Sequence, residues 1–207
     1  MEIEVILIRS GMTASNKAQR YLGKDDEPLC EEGIEQLKSN IYAGKYGEVQ
    51  RIYTASSERC RQTAAIIYPN SPAIVAEGFV AFDYGAFAGK TYSELRHEPE
   101  FASWASGINE NFLEAEDSNI IIYKNIMAFR AIMKECENLP KQRIAIITHR
   151  SAIVSVIRRM CLPRSIYQNV GIAPGEGVCL LYDSYSNMVS YAPAFAKELK
   201  KESKKRY

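Results

Sequence analysis

Glu2-Ile-Glu-Val-Ile-Leu-Ile-Arg9-Ser10-Gly11-Met12-Thr13 is the stretch that decides the fold. Ile3–Ile8 reads as a short apolar strand, and the chain leaves it through an arginine and a glycine turn. In an open α/β sheet the ligand sits beyond the carboxyl ends of the strands, which is where Arg9 falls. The planar guanidinium stays charged and can hold two phosphate oxygens at once, so the stretch points to an anion site. Further strand-like runs follow at Arg51–Ala55, Ala73–Ala76, Arg143–Thr148, Val178–Tyr182 and Met188–Ala192. Between them, helical patterns cover Glu31–Ala43, Glu58–Tyr68, Ile120–Leu139 and Ser151–Met160. This alternation predicts an α/β fold, a three-layer α/β/α sandwich around a mostly parallel sheet. Ile144-Ala-Ile-Ile147, apolar without a break, is expected to be a central strand covered on both faces.

Two helix faces can be read in advance. Ile34, Leu37 and Ile41 give most of a stripe on the first long helix, and Ile122, Ile126, Phe129, Ile132, Met133 and Cys136 give one on the third. The expected domain organisation is a single unit over 1–196, with 80–118 as a lid-like insertion and 197–207 as a basic tail. The insertion breaks the strand–helix rhythm with Gly85, Gly89, Pro99 and Gly107. The tail carries six Lys and Arg against Glu198 and Glu202, and reads as a solvated end.

Composition narrows the function. A formal net charge of +1 over 207 residues gives no support for nucleic-acid or membrane-surface binding. Five cysteines, odd in number and without Cys-x-x-Cys spacing, read as reduced thiols of a cytoplasmic protein and not as a zinc site or disulfide framework. No metal or organic cofactor is expected. Gly85-Ala-Phe-Ala-Gly-Lys-Thr91 approaches a phosphate-binding P-loop, but it has three residues between the glycines where that loop has four, and no strand leads into it.

Three candidate phosphate-binding residues share one end of the predicted sheet. Arg9 follows the first strand, Arg59 follows the second within Ser56-Ser-Glu-Arg-Cys-Arg-Gln-Thr-Ala64, and His149 closes Ile144–Thr148. The turn at Ser10-Gly11 and the helix start near Ser57 could add backbone N–H donors.

With these residues in order, the chain resembles the histidine phosphatase (phosphoglycerate mutase-like) superfamily. Arg9-Ser10-Gly11 with Thr13 and Asn16 is similar to its first signature, and Ser56–Ala64 to its second. Tyr21-Leu-Gly-Lys-Asp-Asp-Glu-Pro-Leu29 with Gly33 resembles the linking segment of bacterial, alpha-ribazole phosphatase-like members, and Thr148-His149 the distal histidine motif. The resemblance spans about nine-tenths of the chain. It implies phosphate binding by Arg9, Arg59, His149 and Asn16, with Arg20 nearby, and a small phosphorylated metabolite or phosphate anion as ligand.

The departures from the family pattern concentrate on chemistry. Ser10 stands where the family has its nucleophilic histidine, and Ala81 where it has the general-acid glutamate. Ala88, Arg150-Ser151 and Phe112-Leu-Glu-Ala-Glu116 also differ from the acidic residue, the two glycines and the turn common in the family. A serine hydroxyl is protonated at neutral pH and needs a base to attack phosphorus, and loss of a general acid costs ~10²–10⁴-fold. The resemblance therefore implies a phosphoric monoester hydrolase scaffold with impaired catalysis, a pseudo-phosphatase that holds a phosphate ester or a protein partner. The alternative is an active phosphomonoesterase using Ser10, His149 as base, and Asp83, which lies two residues from Ala81.

Overall fold

The structure, a computed structural model, describes residues 2–106, 115–137, 143–161 and 171–191. The basic tail 197–207, most of the Phe112–Glu116 stretch and the last residues of the expected 1–196 unit lie outside the described residues. In chain order the elements are β1 (Glu2–Arg9), α1 (Ala14–Lys17), α2 (Glu31–Tyr42), β2 (Arg51–Thr54), α3 (Glu58–Ile67) and β3 (Ile74–Val75). There follow a 3₁₀ turn (Gly85–Phe87), α4 (Tyr92–Leu95), α5 (Pro99–Ala105), α6 (Ser118–Cys136), β4 (Arg143–Thr148), α7 (Arg150–Met160), β5 (Gly177–Asp183) and β6 (Met188–Tyr191).

The six strands form one sheet in the order β3-β2-β4-β1-β5-β6. β3, β2, β4 and β1 are mutually parallel, and β5 pairs antiparallel with both β1 and β6. The fold is thus α/β with a mostly parallel mixed sheet, as the strand–helix alternation predicted. Ile144, Ala145, Ile146 and Ile147 are fully buried, because β4 has a strand on each side and packed helices nearby. α2 packs with α3, and α6 with α7.

The path of the chain creates the crevice. From β1 it moves outward past β4 to β2 and β3, then returns to β4 and crosses β1 to reach β5. Connections of constant hand must place their helices on opposite faces when the direction reverses. The ends of β1 and β4 are consequently a switch point, where the loops diverge and leave an opening. Arg9 pairs in register with Thr148 there.

Two helix stripes are offset from the sequence reading. On α2 the buried positions are Gly33, Leu37 and Asn40, while Ile41 is exposed. Asn40 is buried because its Nδ2 donates to the Tyr46 hydroxyl and the Gly175 carbonyl, so a polar group faces inward with its partners present. On α6 the buried face runs through Ser118, Ile121 and Asn125, not Ile122, and Asn125 Oδ1 accepts the Val80 N–H. Gly33 is required for a different reason: a Cβ there would lie 2.2 Å from the Met12 carbonyl, so only glycine lets α2 approach the end of the first motif.

The 80–106 region adds a small aromatic cluster of its own. Phe87, Leu95 and Phe101 are buried in it, with Tyr21, Tyr84 and Trp104 packed against them. Its rings meet edge to face, as at 5.4 Å for Phe87 and Phe101. Thr91, the last residue of the P-loop-like run, caps α4 through its hydroxyl, and no strand precedes that run.

Candidate active site

The site is built from three strand ends. β1 delivers Arg9 and Ser10, the turn after β2 delivers Ser56, Ser57 and Arg59, and β4 delivers His149 as the residue that begins α7. Ser10 is buried, and its N–H donates to the Thr148 carbonyl at 2.9 Å. The Gly11 N–H donates to Thr63 Oγ1 at 2.9 Å, and that hydroxyl donates to the Arg59 carbonyl at 2.7 Å. Thr63 thereby ties the first motif to the second.

A cavity of about 270 Å³ opens beside them, at the small end for a ligand site. Arg59, His149 and Ala81 share its wall with Lys24, Asp26 and Phe79. The structure therefore brings the distal histidine, one arginine and the general-acid position together. Asn16 Oδ1 accepts from the Thr13 N–H in a capping box on α1. Arg20 donates to the Gly89 carbonyl at 2.6 Å and pairs with Glu94 at 3.3 Å, which ties α1 to the region before α4.

Arg59 is held by the protein itself. Its Nη1 donates to the Asp25 carbonyl and to Asp26 Oδ1 at 3.1 Å. Its Nη2 donates to the Gly23 carbonyl at 2.8 Å and to His149 Nδ1 at 3.3 Å. All four Nη hydrogens thus have acceptors. Asp26 also accepts the Glu58 N–H through Oδ2 at 2.6 Å, so an internal carboxylate occupies the first turn of α3. The loop can come this close because Gly23 has φ +62° and a Cβ there would lie 2.6 Å from the Tyr84 ring.

The contact with Arg59 fixes the state of His149. A guanidinium only donates, so Nδ1 must accept and the neutral ring carries its proton on Nε2. Burial, reinforced by the Arg59 charge and less strongly by Arg9, pushes the imidazolium form down to about 3. Cys60 is fully buried between Ser10 and His149, with Sγ 3.8 Å from Nδ1, and burial pushes its thiol up to about 11. No reactive thiolate forms there.

Asp83 is committed to other partners. Its Oδ2 accepts from Lys24 Nζ at 2.6 Å and its Oδ1 from the Gly85 N–H at 2.9 Å. Burial pushes the carboxyl up, but these bonds and the Glu116 N–H outweigh it and leave the group below its ordinary value. Arg9 donates to the Ile172 carbonyl at 2.7 Å. Burial, followed by the neighbouring Arg150 charge, lowers it to about 10.

Sequence reasoning assigned no role to Lys24, Asp26, Thr63 or Tyr84. The Asp25-Asp26 pair, separated from Gly23 by Lys24, carried a signal, since two carboxylates beside a tight turn can face a strand-end arginine.

Comparisons with known proteins bear on the family and the fold. At 23% identity over 166 residues, 74% of this chain and 77% of the relative, the sequence is similar to adenosylcobalamin/alpha-ribazole phosphatase of Salmonella typhimurium. The fold is similar to phosphoglycerate mutase from Bacillus anthracis, with a TM-score of 0.74, 17% identity, and 96% and 97% of the two chains covered. It is also similar to a histidine-to-alanine mutant of Entamoeba histolytica phosphoserine phosphatase in complex with phosphoserine, with a TM-score of 0.73, 20% identity, and 92% and 95% covered. The model of the histidine phosphatase superfamily, branch 1, matches residues 5–191, and this chain belongs to that superfamily.

Proposed function

We propose that this chain binds a small phosphate ester at the ends of β1 and β4 and does not turn it over at a phosphatase's rate. The observation that carries the reading is the state of His149. With Nδ1 taken by Arg59 and the proton on Nε2, the imidazole offers a hydrogen bond to a phosphoryl oxygen, yet has no lone pair to receive the Ser10 proton. Ser10 therefore lacks the base its hydroxyl needs. Ala81 stands on the cavity wall without a proton to give, and Asp83 is ionised and bound to Lys24. Arg9 and the Nε2–H of His149 hold the phosphoryl group, and Arg59 keeps the ring in its donating orientation.

One further fact supports binding without chemistry. Phosphoserine is bound in a mutant phosphatase of this fold that has lost a histidine, so a ligand complex there does not depend on every histidine.

Calorimetric titration with phenyl phosphate, followed by assay of released phosphate in the same cell, tests the proposal. We expect saturable binding at millimolar concentration or better, with release no faster than in a protein-free blank. Absence of binding, or release that disappears in Ser10→Ala, contradicts it.

A further inference from the structure

We infer that Arg150, a residue outside the matched motifs, is a ligand-binding cation of this site and forms with Arg9 the anion's main guanidinium contact. The inference rests on the phosphate-binding reading and deepens it. Its basis is a contrast among three arginines at one end of the sheet.

Arg59 has all four Nη hydrogens donated to protein acceptors, with the Asp26 carboxylate beside it as counter-charge. Arg9 makes one guanidinium hydrogen bond among the described residues, to the Ile172 carbonyl. Arg150 is exposed and makes no hydrogen bond or ion pair among the described residues. The register of β1 against β4 pairs Arg9 with Thr148, which puts Arg150 two residues along the chain from Arg9's own partner. The neighbouring Ser151 is also anchored: its Oγ accepts the Phe82 N–H at 3.2 Å and draws the loop that carries Tyr84 over the first turn of α7.

The Arg150 charge bears on Arg9 more strongly than that of Arg59, and Tyr84 and then Glu176 offset it in part. Such an arrangement raises the energy of the empty protein and is relieved when an anion bridges the pair. A phosphoryl group fits, since its several oxygens can accept from both forks and from the Nε2–H of His149. The family's two glycines after the distal histidine could supply no such side chain. Among the described residues the unpaired cationic capacity lies on the Arg9–Arg150 side, and Arg59 serves as a strut.

The test is inorganic phosphate titrated at pH 7.5 into the unaltered protein, Arg150→Gln and Arg150→Lys, with melting temperatures measured in phosphate-free buffer. Arg150→Gln should raise the dissociation constant at least tenfold while its phosphate-free melting temperature stays equal or rises. Arg150→Lys should recover part of the affinity. A dissociation constant within twofold of the unaltered protein overturns the inference. So does a fall in phosphate-free stability that matches the loss of binding, because that is the signature of a structural residue. Failure of the unaltered protein to bind phosphate overturns the reading beneath it, whereas unchanged binding in Arg150→Gln overturns this inference alone.

Discussion

The Arg59 corner and the Arg9 corner start from the same residue type at equivalent strand ends and finish in opposite electrostatic states. Arg59 is saturated by the Gly23 and Asp25 carbonyls, the Asp26 carboxylate and His149 Nδ1. Among the described residues Arg9 has one carbonyl partner, and the Arg150 charge bears on it ahead of the opposing Tyr84 and Glu176. A buried charge with its counter-charge and hydrogen bonds in place is part of the scaffold. A charge lacking them is poised for a ligand. On the proposed reading, an arginine's acceptors, and not its position in a motif, set its task.

Breaking the saturated corner should have the largest effect. Arg59→Ala removes four donated bonds and leaves the Gly23 and Asp25 carbonyls and His149 Nδ1 without that donor, so we expect about 3–5 kcal/mol lost in urea unfolding. In whatever fraction remains folded, phosphate affinity should fall less than in Arg150→Gln. A loss under about 1 kcal/mol would mean that the Gly23–Glu27 loop is held by other contacts.

The pH dependence of stability sharpens the comparison next. The folded-state value of His149 lies near 3, below the ordinary value of 6.5, so the unfolded chain takes up a proton first as pH falls. Stability is therefore full above 6.5 and is lost below it, at about 1.4 kcal/mol per pH unit until the folded group also titrates near 3. Between pH 6.5 and 4.5 the unaltered protein should lose about 2–3 kcal/mol that His149→Gln retains. The chain has one other histidine, His97, which both proteins share, so the difference isolates His149. Parallel stability curves would show that the ring is not held neutral.

Much of this molecule could be read in advance. The unbroken Ile144–Ile147 run identified the central strand, and the positions of Arg9 and His149 after apolar runs placed them at the switch point. Helix faces were legible only to within one residue, because Asn40 and Asn125 are buried for hydrogen bonds to distant carbonyl, hydroxyl and N–H groups that no local periodicity encodes. The tasks of Asp26 and Arg150 were illegible for the same physical reason. A charged residue in a loop or at a helix start reads as solvated, and only tertiary contact reveals which charge is neutralised and which is not. Asn16 carried a motif-based expectation of phosphate contact, whereas its Oδ1 caps α1.

The central claim is that the anion site persists while the groups that move protons and attack phosphorus are absent. p-Nitrophenyl phosphate hydrolysis across pH 5–8 by the unaltered protein and by Ser10→His/Ala81→Glu tests it most directly. The account predicts turnover in the double variant at least ~10²-fold above the unaltered protein, the scale of a restored general acid alone. Equal rates in the two proteins, with the unaltered protein well above the blank, would contradict it.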